Sequence, residues 1–123
     1  VVRRTGCGLL LDLNNLWVSC TNHGRDVMAS LAALPLQAVG ELHIAGHAAE
    51  RDSSGAPLLI DTHGAPVADP VWALLADVVQ RIGPVPVLIE RDNNLPPLAD
   101  LLAEAARADA VLLAAHYHRQ EAA

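Results

Sequence analysis

Apolar runs of two kinds alternate with polar clusters along this chain. The first kind is continuous. Gly8–Leu13, Val39–Ile44, Leu58–Asp61 and Pro86–Glu90 are apolar at most positions, without the strict alternation of a strand that has one wet face. Such runs belong to strands buried on both faces, as in parallel α/β sheets. The second kind is periodic. Val71, Trp72, Leu74, Leu75, Val78, Val79 and Ile82 recur at helical spacing. They follow Asp69-Pro70, which reads as an N-cap acid with proline at the first helical position, and Gly83-Pro84 closes the helix. Leu98, Leu101, Leu102, Ala105 and Leu112 predict a last helix from about Leu98 to Ala115, with His116–Arg119 as a frayed end. A short helix, Val27–Ala33, starts at the N-cap Asp26 and stops at Leu34-Pro35. Ala48–Pro57, rich in Ser, Gly and charge, reads as a loop.

Four buried strands with helices between or after them predict an α/β fold whose parallel strands are joined by crossovers. A (β/α)8 barrel takes about 250 residues, and four βα-like units are half of one. The expectation is therefore a single domain over residues 1–123, the C-terminal half of a TIM-type barrel with four parallel strands and flanking helices, its N-terminal half absent. The opening Val1-Val2-Arg3-Arg4, without an initiator Met, agrees with that expectation.

Each strand ends in polar residues, and barrel active sites lie at the C-terminal strand ends. Asp61 and His63 are two apart, so a strand would aim both at one point. A carboxylate beside an imidazole suits zinc, iron or manganese. His43 ends a second strand and shares a face with Glu41, while His47 lies just beyond, beside the site or toward substrate. Asp12 interrupts an apolar strand. A buried carboxylate is costly without a partner, so Asn14, backbone N–H groups or a metal must satisfy it. Asn15 is a weaker donor candidate, and His23 sits in a polar Asn-His-Gly loop. Glu90 ends the last strand, where it can bridge two metals or pair with Arg91. Acids and histidines at four successive strand ends predict a metal site.

Composition narrows the classes. Hydrophobic residues make up 52% of the 123, which excludes a disordered chain. No apolar run approaches the ~20 residues of a membrane span, and no signal-peptide pattern is seen. The net charge of -6, with arginine as the sole basic side chain besides histidine, argues against nucleic acid as a partner. Cys7 and Cys20 lack CxxC spacing and read as buried or incidental thiols. A cytoplasmic, bacterial protein is the expectation.

Several of these motifs are long enough to carry a resemblance. Thr5–Asn15, Asn22-His23-Gly24, Glu41–His47, Ile60–Gly64, Asp69–Trp72 and Leu88–Asp92 resemble the bacterial family that includes the methanobactin enzyme MbnB and its relative TglH. The resemblance covers Thr5 to about Arg107. It implies a barrel like those of xylose isomerase and endonuclease IV, with two or three non-haem irons at its mouth. It also implies an oxidoreductase that uses dioxygen to modify cysteines of a ribosomally made peptide, aided by a small partner protein that presents the peptide. Carried over by position, it implies metal ligation by Asp12, His43, Asp61, His63 and Glu90, with Asn15 and His23 as further contributors. Asn14, His47, Arg91 and Asp92 fall beside the ligands or toward substrate.

Two other functions use the same residues. The ligand set alone would suit a zinc- or manganese-dependent hydrolase or isomerase on the same type of barrel. A truncated, inactive metal-binding remnant is the non-enzymatic reading. The long motifs favour the first function.

Overall fold

A computed structural model describes residues 1–121. Helix α1 (Val2–Thr5) leads into strand β1 (Leu9–Asp12), helix α2 (Leu13–Asn22) and helix α3 (Val27–Ala32). A 3-10 turn at Leu36–Ala38 precedes β2 (Val39–Ala45). A hairpin of β3 (Ala48–Arg51) and β4 (Pro57–Ile60) follows, then α4 (Asp69–Ile82), β5 (Val87–Glu90) and α5 (Leu98–Glu121).

The fold is α/β with two sheets, and only one of them is parallel. β1, β2 and β5 form a three-stranded parallel sheet in that order. The strand expected over Leu58–Asp61 does not join it. It pairs antiparallel with Ala48–Arg51, the stretch expected to be a loop. Four parallel strands are thus corrected to three, plus a hairpin inserted between β2 and α4. The physical reason lies in Asp52-Ser53-Ser54-Gly55. Asp52 Oδ1 accepts hydrogen bonds from Ser54 N (2.8 Å), Ser54 Oγ (2.6 Å) and Ala56 N (2.9 Å), and Gly55 takes a φ of 86°. That is a strong local turn. It folds Pro57–Ile60 back on its neighbour, and no residue of β4 becomes fully buried.

One sheet face packs on the helices. Leu11, Leu42 and Ile44 meet Val71, Leu75, Val78 and Val79 of α4 in the core, with Val87 and Ile89 against them. α4 buries its apolar stripe as its periodicity predicts. Trp72 is core, its Nε1 donating to Val67 O at 3.1 Å. Asp69 is not the cap: Ala68 takes the N-cap position and Asp69 pairs with Arg107 at 3.1 Å. α5 runs on past Ala115 through the stretch expected to fray. Ala115 is buried, and Arg119 Nη1 donates to Arg81 O at 3.3 Å, tying the helix to the end of α4. Strand β1 ends one residue early because Asp12 caps α2, its Oδ1 accepting from Asn15 N at 2.7 Å. Cys7 is exposed and Cys20 buried, both free. Among the described residues no helix is long and apolar enough to cross a membrane.

The second sheet face is polar and open. By strand alternation it carries Leu10 and Asp12 of β1, Glu41 and His43 of β2, and Leu88 and Glu90 of β5. Leu10 and Leu88 are about half exposed there.

Candidate metal centre

Parallel pairing sets the first group of donors. Register places Asp12 beside His43 and Ala45 beside Glu90. Asp12, His43 and Glu90 each offer an atom within 4.8 Å of the others. His43 Nδ1 lies 3.2 Å from Glu90 Oε1, and its Nε2 lies 3.4 Å from Glu41 Oε1.

The hairpin delivers the second group. Asp61 and His63 lie beyond β4, so strand alternation is not what joins them. A turn does. His63 takes a φ of 50°, a left-handed conformation uncommon for a side chain of this size. It is held there from both sides: His63 N donates to Gly46 O at 3.0 Å, and Asp92 N donates to His63 O at 3.1 Å. Gly46 permits the approach, because a Cβ at that position would overlap the Ala65 carbonyl. Asn93 Nδ2 adds a hydrogen bond to Thr62 O at 2.8 Å. The result brings His63 Nε2 to 3.0 Å from Asp61 Oδ1, and His63 Nδ1 to 3.3 Å from Glu90 Oε2 and 3.1 Å from Asp92 Oδ2. Strained backbone of this kind concentrates at functional sites.

Glu90 joins the two groups, one oxygen toward each histidine. Asn14, fully buried, donates from Nδ2 to Asp61 Oδ1 and faces His47 Nδ1 with its Oδ1 at 2.8 Å. Asn15 Nδ2 donates to Asp61 Oδ2 at 3.2 Å. Asp92, named from sequence as a neighbour of the ligands, thus reaches His63 directly. His23 is not brought in. It is exposed at the far end of α2, a ten-residue helix from Asp12, hence about 15 Å away at ~1.5 Å per residue. Arg91 turns away as well, its Nη2 pairing with Glu104 Oε2 at 2.9 Å. Sequence reasoning missed Glu104, Asn93 and Gly46. The Asn-Asn after β5 and the Gly after β2 were usable signals, whereas Glu104 looks like any acid on a helix.

Electrostatics follow from this crowding. Burial pulls the His63 pKa down, but Asp61, Asp92 and Glu90 together outweigh it and hold it above the ordinary value. Burial lowers that of His47, and Asp61 only partly opposes it. Asp12, Glu41, Asp61, Glu90 and Asp92 surround two imidazoles while the adjacent arginine is committed elsewhere. His63 Nε2 is buried and, although 3.0 Å from Asp61 Oδ1, is not aligned for a hydrogen bond with it. Surplus negative charge, mixed N and O donors and an unsatisfied ring nitrogen all fit a bound divalent cation.

Comparison with known proteins agrees with the motifs. The family model for the RiPP precursor modification enzymes MbnB/TglH/ChrH matches residues 1–113. The chain belongs to this family. Among its relatives, a UPF0276 protein of Bordetella pertussis is 58% identical over 112 residues, covering 91% of this chain and 39% of the relative. A UPF0276 protein of Caulobacter vibrioides is 55% identical over 119 residues, covering 97% of this chain and 42% of the relative. The chain therefore spans about two-fifths of the length of these relatives.

Proposed function

We propose that this chain carries part of the metal-binding mouth of an iron-dependent enzyme that uses dioxygen to modify cysteine residues of a ribosomally made peptide. The observation that carries the reading is Glu90. Its two carboxylate oxygens lie 3.2 Å from one histidine and 3.3 Å from another, each histidine backed by further acids. Such an acid can serve two adjacent ions. The family's action on RiPP precursors supports a peptide substrate.

Asp12, His43 and Glu90 would hold one ion, and Asp61, His63, Asp92 and Glu90 another. Bound iron would supply redox chemistry and an electrophilic centre for a thiolate. The chain's own residues prepare that ground. Each imidazole has acids near both ring nitrogens, so one nitrogen can bind metal while the other keeps a partner that fixes the ring. Asn14 and Asn15 orient the Asp61 carboxylate. The partner protein that presents the peptide, and the reducing cytoplasm that suits a free thiol, belong to the same proposal.

The fold reading is refined with it. Three βα units are three-eighths of an eight-unit barrel, close to the 39% and 42% of its relatives that the chain covers. We place the open polar sheet face inside such a barrel, with the hairpin across its mouth.

The test is elemental analysis after anaerobic purification from iron-rich medium, against Glu90→Ala. Iron at or above one per chain, lost in the variant, supports the reading. Zinc or manganese retained in place of iron refutes iron chemistry. Dioxygen uptake with a cysteine-containing peptide is then measured on the longer protein.

A further inference from the structure

The hydrogen bonds around Asn14 decide something about His47 that distance alone leaves open. Asn14 is fully buried in the first turn of α2, with its amide between two partners. On one side is the Asp61 carboxylate, which also accepts from Asn15 Nδ2 and lies 3.0 Å from His63 Nε2. An ionised carboxylate only accepts hydrogen bonds. The NH2 of Asn14 must therefore face Asp61, since the reverse would set an oxygen against an anion. Its Oδ1 is then the atom 2.8 Å from His47 Nδ1, and Oδ1 only accepts. Nδ1 must carry the proton. In a neutral imidazole that leaves Nε2 bare. Nε2 makes no hydrogen bond among the described residues and is not fully buried.

We propose that Asn14 is a positioning residue that locks His47 in the Nδ1–H tautomer, so that the mouth presents a bare imidazole nitrogen to the substrate. That nitrogen accepts a hydrogen bond. It selects a group that donates one, a cysteine S–H or a peptide N–H, over a carboxylate or carbonyl. Its meaning for the substrate rests on the peptide-modifying reading above, whereas the tautomer itself does not. The same amide also holds Asp61, so one buried side chain sets both a metal donor and a substrate acceptor. Burial favours the neutral ring, the direction in which its pKa is shifted.

The experiment is two-bond 1H–15N correlation of the histidine rings in the metal-free 123-residue chain at mildly alkaline pH. The expected result is an N–H shift on His47 Nδ1 and a bare-nitrogen shift on Nε2. The opposite pattern overturns the proposal without any variant being needed. Asn14→Leu keeps the volume and removes both hydrogen bonds. It is expected to move His47 toward the Nε2–H tautomer, and an unchanged Nδ1–H spectrum in that variant would show that Asn14 is not the lock. The metal readout is separate: loss of the Asp61 hydrogen bond is expected to weaken zinc binding by roughly 10–100-fold. Because no peptide or iron is present, a wrong tautomer refutes this inference alone, and a failed peptide assay refutes the enzymatic reading alone.

Discussion

Replacing Glu104 by alanine tests how strongly one carboxylate holds Arg91, the residue that follows Glu90 in the chain. Glu104, on α5, accepts from Arg91 Nη2 at 2.9 Å and from Val67 N at 2.7 Å. The Arg91 side chain is 6% exposed and that of Glu104 16%. Removing the acid strands a buried guanidinium, which costs about 3–5 kcal/mol, and leaves an N–H unpaired at about 1–3 kcal/mol. These losses overlap, because the same relaxation relieves both, so the expected total is about 4 kcal/mol. That is a large share of the stability of a domain this size. With a urea slope of about 2 kcal/mol/M, the midpoint falls by roughly 2 M. Arg91→Met in the Glu104→Ala background removes the stranded charge and is expected to return about half of the loss, since apolar replacement of both partners is often tolerated. Urea unfolding of the wild type, both single variants and the double variant measures this coupling directly. A Glu104→Ala loss under ~1 kcal/mol, or a double variant no better than Glu104→Ala, would refute the reasoning.

Other outcomes follow from the same contacts. Gly46→Ala forces a Cβ into the Ala65 carbonyl and shifts the backbone acceptor of His63 N. Metal binding should then fall at least tenfold, as for loss of an outer partner, and isothermal titration with zinc showing unchanged affinity would oppose this. Asp26→Ala removes the cap on Ala29 N and should cost about 1 kcal/mol by urea unfolding without touching metal content. The raised His63 pKa sets a pH dependence. The proton it favours must leave when metal binds, so affinity should drop about tenfold per unit as pH falls below that pKa. In the metal-free chain the sign for stability is opposite. The His63 contribution is full below the unfolded histidine value of about 6.5 and is lost as pH rises through the higher folded value. A zinc titration series over pH that stays flat would argue against His63 as a ligand.

How much of this was legible in the sequence depends on how local the cause is. α3 follows from its Asp26 cap and α4 from its periodicity and the proline in its first turn, and the three strands of the parallel sheet follow from continuous apolar runs. The hairpin was not read, although Asp52 to Gly55 is a turn signal between two runs. Charge in Ala48–Arg51 hid the first strand, and the apolar Leu58-Leu59-Ile60 imitated a buried one. The helix over Leu13–Asn22 was also missed, because Asp12 looked like an interruption within a strand running on to Leu13, when it ends the strand and caps the helix. Asp61 and His63 were expected together for the wrong reason. Alternation along a strand would bring any such pair together, and it demands nothing of the backbone. The geometry present needs a left-handed His63, a glycine at 46 and hydrogen bonds from the ends of β2 and β5. That difference matters for function. A pair fixed by strand geometry would survive changes in its neighbours, whereas this one depends on contacts between segments far apart in the chain. The second donor group is therefore the part of the site that substitutions remote from any ligand should disturb first, while Asp12 and His43, neighbours in the parallel register, should persist.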